Sequence, residues 1–479
     1  MYELRKTLTV QIHLADSGWV DCATLELKNP ELGPADRVTG RYINSFITEG
    51  QRINHLGAIG IPAVWMQMPL EYAMSLDFDH WPVFLMDIIP TGAAQRYWKS
   101  FLMLENNPEN IVAAHMLQRG AIAPIGNVRI REAFESGSFI HRKPMEHFSW
   151  ENAASRMDDF VTHATRHGMM ISGGTGAGGD APKILLRMDA NKKTVWVDPY
   201  PDIRNKDAFY LVKFPRRQDG NARPTDRDKD ILRTEFIFYH ELAAMGIDTI
   251  DVKNIYLLED GQHDPTLWLP RFDREYDHQK EQWRLLGVES VNAAVAGNAS
   301  NKHESILMGF KKLFSQNASE FLVSFDDLAA EWVRRDLLNV IFGNSDNHGR
   351  NSSVVKSEGG IKLAPVYDFA PMAADESSIH RTIRWGDAIE KAAVINWHLL
   401  PGYLEKMRLG SADLITVKLL DTMRKSKGLY DRLIERGAPE SILNLPRINM
   451  KSLDEKIAQW IFDLNGRDEA YLKPDFYSR

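Results

Sequence analysis

The chain contains 479 residues, of which 44% are hydrophobic and 26% are charged, and it carries a formal net charge of −7. This length exceeds what one ordinary hydrophobic core holds and predicts two to four domains or subdomains, while the composition excludes a mainly disordered chain. The acidic balance provides no general basic field for a nucleic-acid backbone and so disfavours nucleic acid as the main direct partner.

The single cysteine and the lack of long apolar runs predict the compartment. Cys22 is the only cysteine, which excludes an intramolecular disulfide and a cysteine metal cluster. The N-terminal stretch MYELRKTLTVQIHL lacks the apolar region of a signal peptide, and apolar residues do not continue long enough anywhere to span a bilayer. We expect a cytoplasmic protein that does not bind a membrane.

Residues 1–135 are predicted to form an N-terminal α+β subdomain. Short β-rich pieces, LTVQIHL, AVWMQM and PIGNVRI, flank an apolar-aromatic segment, WPVFLMDIIPTGAAQRYWKSFL, whose second half has helical spacing. A polar stretch at residues 134–152 is the predicted linker to the rest of the chain.

A Gly-rich stretch, SGGTGAGGDAPKILL, lies between residues 150 and 275, just before a predicted strand. Its glycines fit the spacing G-x-G-x-x-G, but that match is weak without a leading core strand and an acidic residue about twenty positions on, and Lys183 does not follow a Gly as in a Walker A loop. The backbone N–H groups of such a loop could still approach phosphates, with a plain surface linker as the alternative. We therefore predict a nucleotide-binding lobe at 150–275, with the candidate binding residues Gly176, Gly178, Gly179 and Lys183.

Lys213 ends the apolar strand FYLVKFP, where a cation is unusual unless it reaches a partner. A lysine on a core strand behind a Gly-rich loop can hold nucleotide phosphates, and Glu235, on the helix that we predict from Ile231, could pair with it. The alternative is an edge-strand lysine whose ammonium reaches water.

The segment LWLPRFDRE combines a strand with a cluster of charges. The backbone groups of Pro270 and Phe272, just after the strand, could contact an adenine base if this segment joins two lobes. Arg271, Asp273 and Arg274 are predicted to form a structural ion-pair network, and Phe272 is also a plausible core residue.

Residues 276–479 are predicted to be mainly helical. Ser324 can cap a helix whose apolar spacing stops at Gly343, so the stretch GNSDNHGRN forms the loop after a buried helix. Catalytic side chains commonly lie on loops that a rigid element holds. Asp346, His348 and Asn351 all lie on this loop.

A β-hairpin is predicted directly after Asn351. The turn signal EGG separates SSVVKS from IKLAPVYDFAP, and folding the strands about Glu358 and Gly359 places Asn351 roughly opposite Val366, close to Asp368. An amide and a carboxylate brought together in this way are hard oxygen ligands suited to Mg²⁺.

Asp346 is then left as a base for a hydroxyl proton, an arrangement that protein kinases use. The alternative is that Asp346 and Asn351 only cap turns, as Asp and Asn often do in Gly-containing loops. We predict that His348 supports the nucleotide site by orienting the loop, because no second histidine stands at metal-ligand spacing.

In chain order, GAGGDAPK, FYLVKFP, the helix with Glu235, RFDR, GNSDNHGRN and VYDFAP resemble the HipA-like serine/threonine kinases, the toxins of type II bacterial toxin–antitoxin pairs. The segments FLMDIIPTGAAQRY and PIGNVRI are similar to the N-terminal subdomain of that family. The resemblance covers roughly residues 50–400. It implies an α+β, two-lobed, protein-kinase-like fold with a β-rich N-terminal subdomain and a mostly helical C-terminal lobe.

The resemblance also implies ATP and Mg²⁺ as cofactors and assigns roles to individual residues. Asp346 is the implied catalytic base, Asn351 and Asp368 are the implied metal ligands, and Lys213 is the implied phosphate-binding lysine. Backbone groups of Pro270 and Phe272 would face adenine.

One position departs from the family pattern. Family members commonly carry an autophosphorylated serine seven positions before the loop lysine, where this chain has Gly176. Phosphorylation at that position is therefore impossible, and the nearby Ser172 and Thr175 are the remaining candidates.

Our leading hypothesis is an ATP-dependent serine/threonine protein kinase that acts as a growth-restraining toxin. By resemblance, its partners are a small helix-turn-helix antitoxin (HipB-like), DNA reached through that antitoxin, and a protein substrate such as an aminoacyl-tRNA synthetase or a translation factor. The alternatives are a catalytically inactive nucleotide-binding module that acts through an antitoxin/DNA complex and a metal-dependent nuclease that uses the same site.

Overall fold

A computed structural model describes most of the chain. The described residues are 3–48, 57–122, 124–136, 147–154, 181–197, 205–216, 224–259, 261, 263–295 and 301–466. The candidates Ser172, Thr175, Gly176, Gly178 and Gly179 lie outside these residues. Within the described part, no helix has the length and apolar character needed to cross a membrane.

The N-terminal part is built on a five-stranded antiparallel sheet with the order β4-β3-β2-β1-β5. Its strands are β1 (Thr7–Leu14), β2 (Gly18–Leu27), β3 (Val38–Tyr42), β4 (Ser75–Phe78) and β5 (Val128–Ile130). Its helices are α1 (Asn44–Thr48), α2 (Leu85–Ile88), α3 (Gly92–Phe101), α4 (Glu109–His115) and α5 (Arg131–Ser136). The apolar-aromatic segment of the sequence supplies α2 and α3, whose buried Leu85 and Trp98 pack in the same core as Leu8 and Val10 of β1.

A six-stranded antiparallel sheet follows, with the order β10-β11-β9-β7-β8-β6. Its strands are β6 (Phe148–Ser149), β7 (Lys183–Met188), β8 (Thr194–Val197), β9 (Ala208–Lys213), β10 (Tyr256–Leu258) and β11 (Thr266–Pro270), and its helices are α6 (Trp150–Ala154) and α7 (Asp226–Ala244). The predicted start of α7 at Ile231 is therefore five residues late. Thr225 caps the helix in a reciprocal capping box with Asp228, and this polar first turn carries no apolar periodicity that could reveal it.

The C-terminal part is mainly helical, as predicted, but it contains more strands than the one predicted hairpin. The strands are β12 (Arg274–Asp277), β13 (Gln282–Leu285), β14 (Gly287–Ser290), β15 (Ser353–Ser357), β16 (Gly360–Leu363), β17 (Glu390–Lys391) and β18 (Val394–Ile395). The helices are α8 (Val291–Ala294), α9 (His303–Asn317), α10 (Phe325–Ile341), α11 (Leu400–Lys406), α12 (Ala412–Lys425), α13 (Leu429–Glu435), α14 (Glu440–Leu443) and α15 (Leu453–Asn465). The predicted hairpin is β15–β16, and β14 adds a third strand to it.

Two large apolar cores organise these elements. The first core joins the five-stranded sheet to the six-stranded sheet and includes Val212 of β9. The second core joins the C-terminal helices to α7 and includes Phe238. Lys213 and Glu235 therefore lie on elements that belong to different cores, so a bond between them connects the two.

Candidate active site

The helix α10 and the hairpin β15–β16 position the loop with the candidate catalytic residues. Ser324 caps α10 by accepting a hydrogen bond from the Asp327 N–H, as predicted. Gly343 ends the helix with a φ of +66°, and a Cβ there would lie 3.0 Å from Ile448, so the turn favours glycine. The hairpin pairs Ser357 with Gly360, which leaves the two predicted residues in the turn.

Hydrogen bonds within this loop bring its polar residues together. The Asn351 Nδ2 donates to the main-chain oxygen of Asp346 at 2.7 Å. The His348 Nε2 lies 3.4 Å from the Asp346 Oδ1, while the His348 Nδ1 accepts from the Arg350 N–H at 3.3 Å. Because Nδ1 accepts, a neutral His348 carries its proton on Nε2, which faces the Asp346 carboxylate. This geometry fits an orienting role for His348.

A buried cluster of charges lies beside the loop. The Lys213 Nζ contacts the Glu235 Oε1 at 2.5 Å and also bonds to the Asp368 Oδ1. The Lys183 Nζ lies 3.2 Å from the other oxygen of the same Asp368 carboxylate. The lysines are neighbours because β7 and β9 pair with Lys183 opposite Lys213. Tyr239 completes the cluster by donating its hydroxyl to the Glu235 Oε1 at 2.9 Å.

Asp368 has an unusual backbone conformation, with a φ of +51°. Non-glycine residues rarely adopt this region, and such strain concentrates at functional sites, where the surrounding structure maintains it. Here the two lysine bonds fix the side chain, and the next N–H, that of Phe369, donates to the Tyr239 hydroxyl at 3.2 Å.

The environments of the two aspartates separate their pKa values. Burial would raise the pKa of Asp368, but the two ammonium groups outweigh it and hold that pKa well below its usual range. Burial raises the pKa of Asp346, as does the negative charge of Asp368, and the His348 imidazole only partly offsets these effects. Asp368 therefore remains ionised, and Asp346 is the better proton acceptor, a separation typical of paired catalytic carboxylates.

The pKa values of Lys183 and Lys213 are shifted in opposite directions. Burial lowers the pKa of Lys183, and the nearby charge of Lys213 adds to this effect. At Lys213 the Asp368 and Glu235 carboxylates outweigh burial and raise the pKa. Both groups are placed to contact an anion that displaces or shares their carboxylate partner.

Two cavities meet at this cluster. The first cavity, of about 780 Å³, has Lys183, Lys213 and Asp368 at one end and Pro270 and Phe272 at the other. The second cavity, of about 1110 Å³, is also lined by Lys183, Lys213 and Asp368, and it contains Asp346 and His348. A ligand in the first cavity and a ligand in the second could therefore meet at the two lysines.

The segment at the end of β11 lines the first cavity and contains a buried ion-pair network. Pro270 is the last residue of β11 and pairs with Tyr210, and Phe272 lines the first cavity while its ring lies 5.0 Å from that of Tyr367. The predicted ion-pair network is confirmed: the Asp273 carboxylate accepts from both adjacent arginines, at 2.7 to 2.9 Å, and from the Gly126 N–H at 2.7 Å.

The residues present fit a magnesium ion. Among the described residues the buried Asn351 Oδ1 has no hydrogen-bond partner, so a hard oxygen ligand stands unsatisfied next to Asp346, which lines the second cavity together with Asp368. Across the described residues, no group of three or more His, Cys, Asp or Glu side chains could hold a metal ion. Magnesium does not need such a group, because it usually keeps several waters and shares substrate phosphates with one or two protein ligands.

Comparisons with known proteins identify the family. The protein-family model described as the HipA-like C-terminal domain matches residues 175–411. The chain belongs to the HipA-like family. The family predicted from the sequence motifs is thus confirmed, and the matched region contains every candidate catalytic, nucleotide-binding and metal-binding residue proposed above.

Two individual proteins show how far this similarity extends. A curated Sinorhizobium fredii protein named "Putative kinase Y4mE" is 28% identical over 142 residues, which cover 28% of this chain and 30% of that protein. The chain thus matches less than a third of that relative's length. HipA of Shewanella oneidensis, solved with HipB and its operator DNA, matches with a TM-score of 0.54 and 17% identity over 97% of both chains. This match confirms the predicted two-lobed, kinase-like α+β fold.

Sequence reasoning missed two features of the site. Lys183 was assigned to the Gly-rich loop, whereas it begins β7 and shares Asp368 with Lys213. Asp87, Ile88 and Ile125 from the N-terminal part also line the first cavity. The only sequence signal for Asp87 was an acidic residue inside an otherwise apolar run, FLMDIIP.

Proposed function

We propose that this HipA-like protein is an ATP-dependent serine/threonine protein kinase that transfers the γ-phosphoryl group of MgATP to a protein hydroxyl. The observation that carries the proposal is the convergence of Lys213, Asp346 and Asp368 along the second cavity, with Asn351 bonded to the main chain of Asp346. ATP in the first cavity and a hydroxyl in the second would place the reacting groups beside these side chains.

The side chains divide the work of the reaction. Lys183 and Lys213 neutralise phosphate charge, and the backbone of Pro270 and Phe272 orients the base. Asn351 and Asp368 would hold Mg²⁺, which supplies further charge neutralisation at the phosphates when bound.

Asp346 orients the acceptor hydroxyl and takes its proton. The acceptor oxygen forms a bond to the γ-phosphorus as the bond to the β,γ-bridging oxygen breaks, and ADP leaves. Most of the rate enhancement in such transfers comes from positioning and charge neutralisation.

We further propose that the protein acts in the cytoplasm as a growth-restraining toxin. The support is the family and its similarity to a HipA that was solved with HipB and operator DNA. On this basis the partner is a small helix-turn-helix antitoxin, through which the complex contacts DNA. An aminoacyl-tRNA synthetase or a translation factor is the proposed acceptor protein.

A second candidate is a kinase-fold module that binds nucleotide without transferring phosphate. One observation favours it: the Asp368 carboxylate is engaged by both lysines and would have to release at least one bond to bind a metal ion. The experiment below separates the two candidates.

The test is to incubate the purified protein with Mg²⁺, γ-labelled ATP and cell extract. The variants are Asp346→Asn and Asp368→Asn, and the matched control is Asp207→Asn, which removes a carboxylate that bonds to Arg187 outside both cavities. The kinase proposal predicts label on a protein with wild type and the control, and none with the two site variants.

Other outcomes point elsewhere. Nucleotide binding by all four proteins without transfer would support the binding module. Nicked DNA that is lost in both site variants would support the nuclease. Transfer that survives Asp346→Asn at the wild-type rate would remove Asp346 from the role of base.

A further inference from the structure

Asp87 is a half-buried residue of the N-terminal part, and it reaches the first cavity. It lies in α2, and it lines the cavity together with Ser290, Ser353 and Tyr367. Its Oδ2 accepts a hydrogen bond from the Ser290 N–H at 2.9 Å, whereas its buried Oδ1 has no hydrogen-bond partner within the described ranges. A buried acceptor left unsatisfied costs free energy, so a ligand that supplies a donor would gain from meeting it.

The position of Asp87 within the cavity can be derived from its neighbours. Ser290 pairs with Ser353 between β14 and β15, and the Ser353 Oγ shares a hydrogen bond of 2.6 Å with the Tyr367 hydroxyl. Ser353 follows Asn351 by two residues, and Tyr367 directly precedes Asp368. Asp87 therefore lies on the cavity wall near Tyr367, whose ring contacts that of Phe272 and whose neighbour Asp368 contacts the lysines, so this part of the wall is intermediate between the two ends.

A nucleotide placed as proposed above puts its sugar in this intermediate position. Its phosphates would meet the lysines, and its base would meet the backbone at Pro270 and Phe272. The phosphates offer no donors, and the amino group of adenine would be used by a backbone carbonyl. The ribose hydroxyls are the donors that remain, and a carboxylate commonly recognises them in nucleotide-binding folds.

We propose that Asp87 accepts a hydrogen bond from a ribose hydroxyl of the bound nucleotide, so that the N-terminal part of the chain takes part in nucleotide recognition. The inference rests on the proposed nucleotide site. Burial raises the pKa of Asp87 to about 6, against the effect of the Ser290 hydrogen bonds. The carboxylate is still mainly ionised at neutral pH and available as an acceptor.

Calorimetry with ADP, 2′-deoxy-ADP and 3′-deoxy-ADP, in the presence of Mg²⁺, tests the proposal without turnover. The wild-type protein should bind at least one deoxy-nucleotide about tenfold or more weakly than ADP, the loss expected for one hydrogen bond to a charged group. Asp87→Ala should weaken ADP binding and remove most of this difference. Asp87→Asn, which keeps an acceptor for the Ser290 N–H, should reduce the difference.

Asp36→Asn is the matched control. Asp36 is a fully buried residue of the N-terminal part. One of its carboxylate oxygens accepts from the Asn29 N–H at 2.8 Å, the other has no partner in the part of the chain that the structure describes, and Asp36 does not line the cavity. This variant should keep the wild-type preference for ADP even if its thermal stability falls.

Each outcome of the titrations decides something. Equal affinity of the wild type for ADP and both deoxy-nucleotides would overturn the proposal, even if neither Asp87 variant folds. A preference for ADP that persists in Asp87→Ala would also overturn it. A wild-type protein that binds none of the three would instead refute the nucleotide site itself, and the inference would fail with it.

Discussion

Lys213→Met is expected to destabilise the fold as well as to weaken phosphate binding. Lys213 is 5% exposed, and its ammonium group is the partner of two carboxylates, those of Glu235 and Asp368. Removing one partner of a buried ion pair costs about 3–5 kcal/mol, because it leaves a buried charge uncompensated. Lys183 remains beside Asp368 and the Tyr239 hydroxyl remains beside Glu235, so we expect the lower limit, about 3 kcal/mol.

Thermal unfolding measures this loss directly. A change of 1 kcal/mol shifts Tm by about 2–4 °C for a cooperative unit of 150–250 residues, so Lys213→Met should lower Tm by about 6–12 °C. The double variant Lys213→Met/Glu235→Gln removes one uncompensated charge and should recover part of the shift, because residues in contact are energetically coupled.

A surface lysine provides the control for this experiment. Lys206 pairs with Glu281 at 3.1 Å, but the side chains are 65% and 70% exposed, and exposed pairs contribute little. Lys206→Met should leave Tm unchanged. If Lys213→Met melts at the wild-type temperature, or if adding Glu235→Gln lowers Tm further, the buried charge cluster does not connect the two cores as the geometry implies.

Three further predictions concern the site and its surroundings. His348→Gln removes the imidazole that lowers the pKa of Asp346, so the acid limb of the kcat–pH profile should move to higher pH. A limb that does not move would show that His348 and Asp346 do not interact in the reaction. Two arginines outweigh burial and lower the pKa of Asp273 to about 2, below its unfolded value of about 3.9. The ionised Asp273 therefore stabilises the fold above pH 4, and this contribution is lost as the pH falls towards 2. The urea midpoints of wild type and Asp273→Asn should converge over that range, and a constant difference between them would contradict the lowered pKa. Asn347 bonds to the main chain of residues 382 and 383 through both its amide nitrogen and its amide oxygen, at 2.8 to 3.3 Å. Asn347→Ala should therefore release the loop that carries Asp346. We expect kcat to fall by up to about 10²-fold, with unchanged ADP affinity in calorimetry. A variant with full kcat would show that this anchor does not position Asp346.

The parts of the site that depend on local chemistry could be predicted from the sequence. The Ser324 cap, the end of α10 at Gly343 and the two-residue turn of the hairpin all follow from residues close together in the chain. The register of that hairpin, once fixed by its turn, also determines which side chains stand near Asp368.

The parts that depend on distant packing could not be predicted. The pairing of β14 with β15 joins residues more than sixty positions apart, and neither strand contains a signal for the other. The sharing of Asp368 by two lysines depends on the register between β7 and β9, and the position of Asp87 depends on how the N-terminal part docks. In each case the decisive contact is long-range, so periodicity within a single element carries no information about it.

The hairpin β15–β16 depends on the N-terminal part for its polar contacts. Lys356 of β15 is 1% exposed, and its Nζ donates to the Glu289 Oε1 and to the Ala63 oxygen, both at 2.6 Å. The Glu289 carboxylate in turn accepts from the Met66 N–H at 3.1 Å. A buried ion pair is stable only when its remaining donors and acceptors are satisfied, and the main chain of residues 63–66 satisfies both of these groups. The N-terminal part is therefore a structural component of the hairpin that follows Asn351, although the match to the family's C-terminal domain begins only at residue 175.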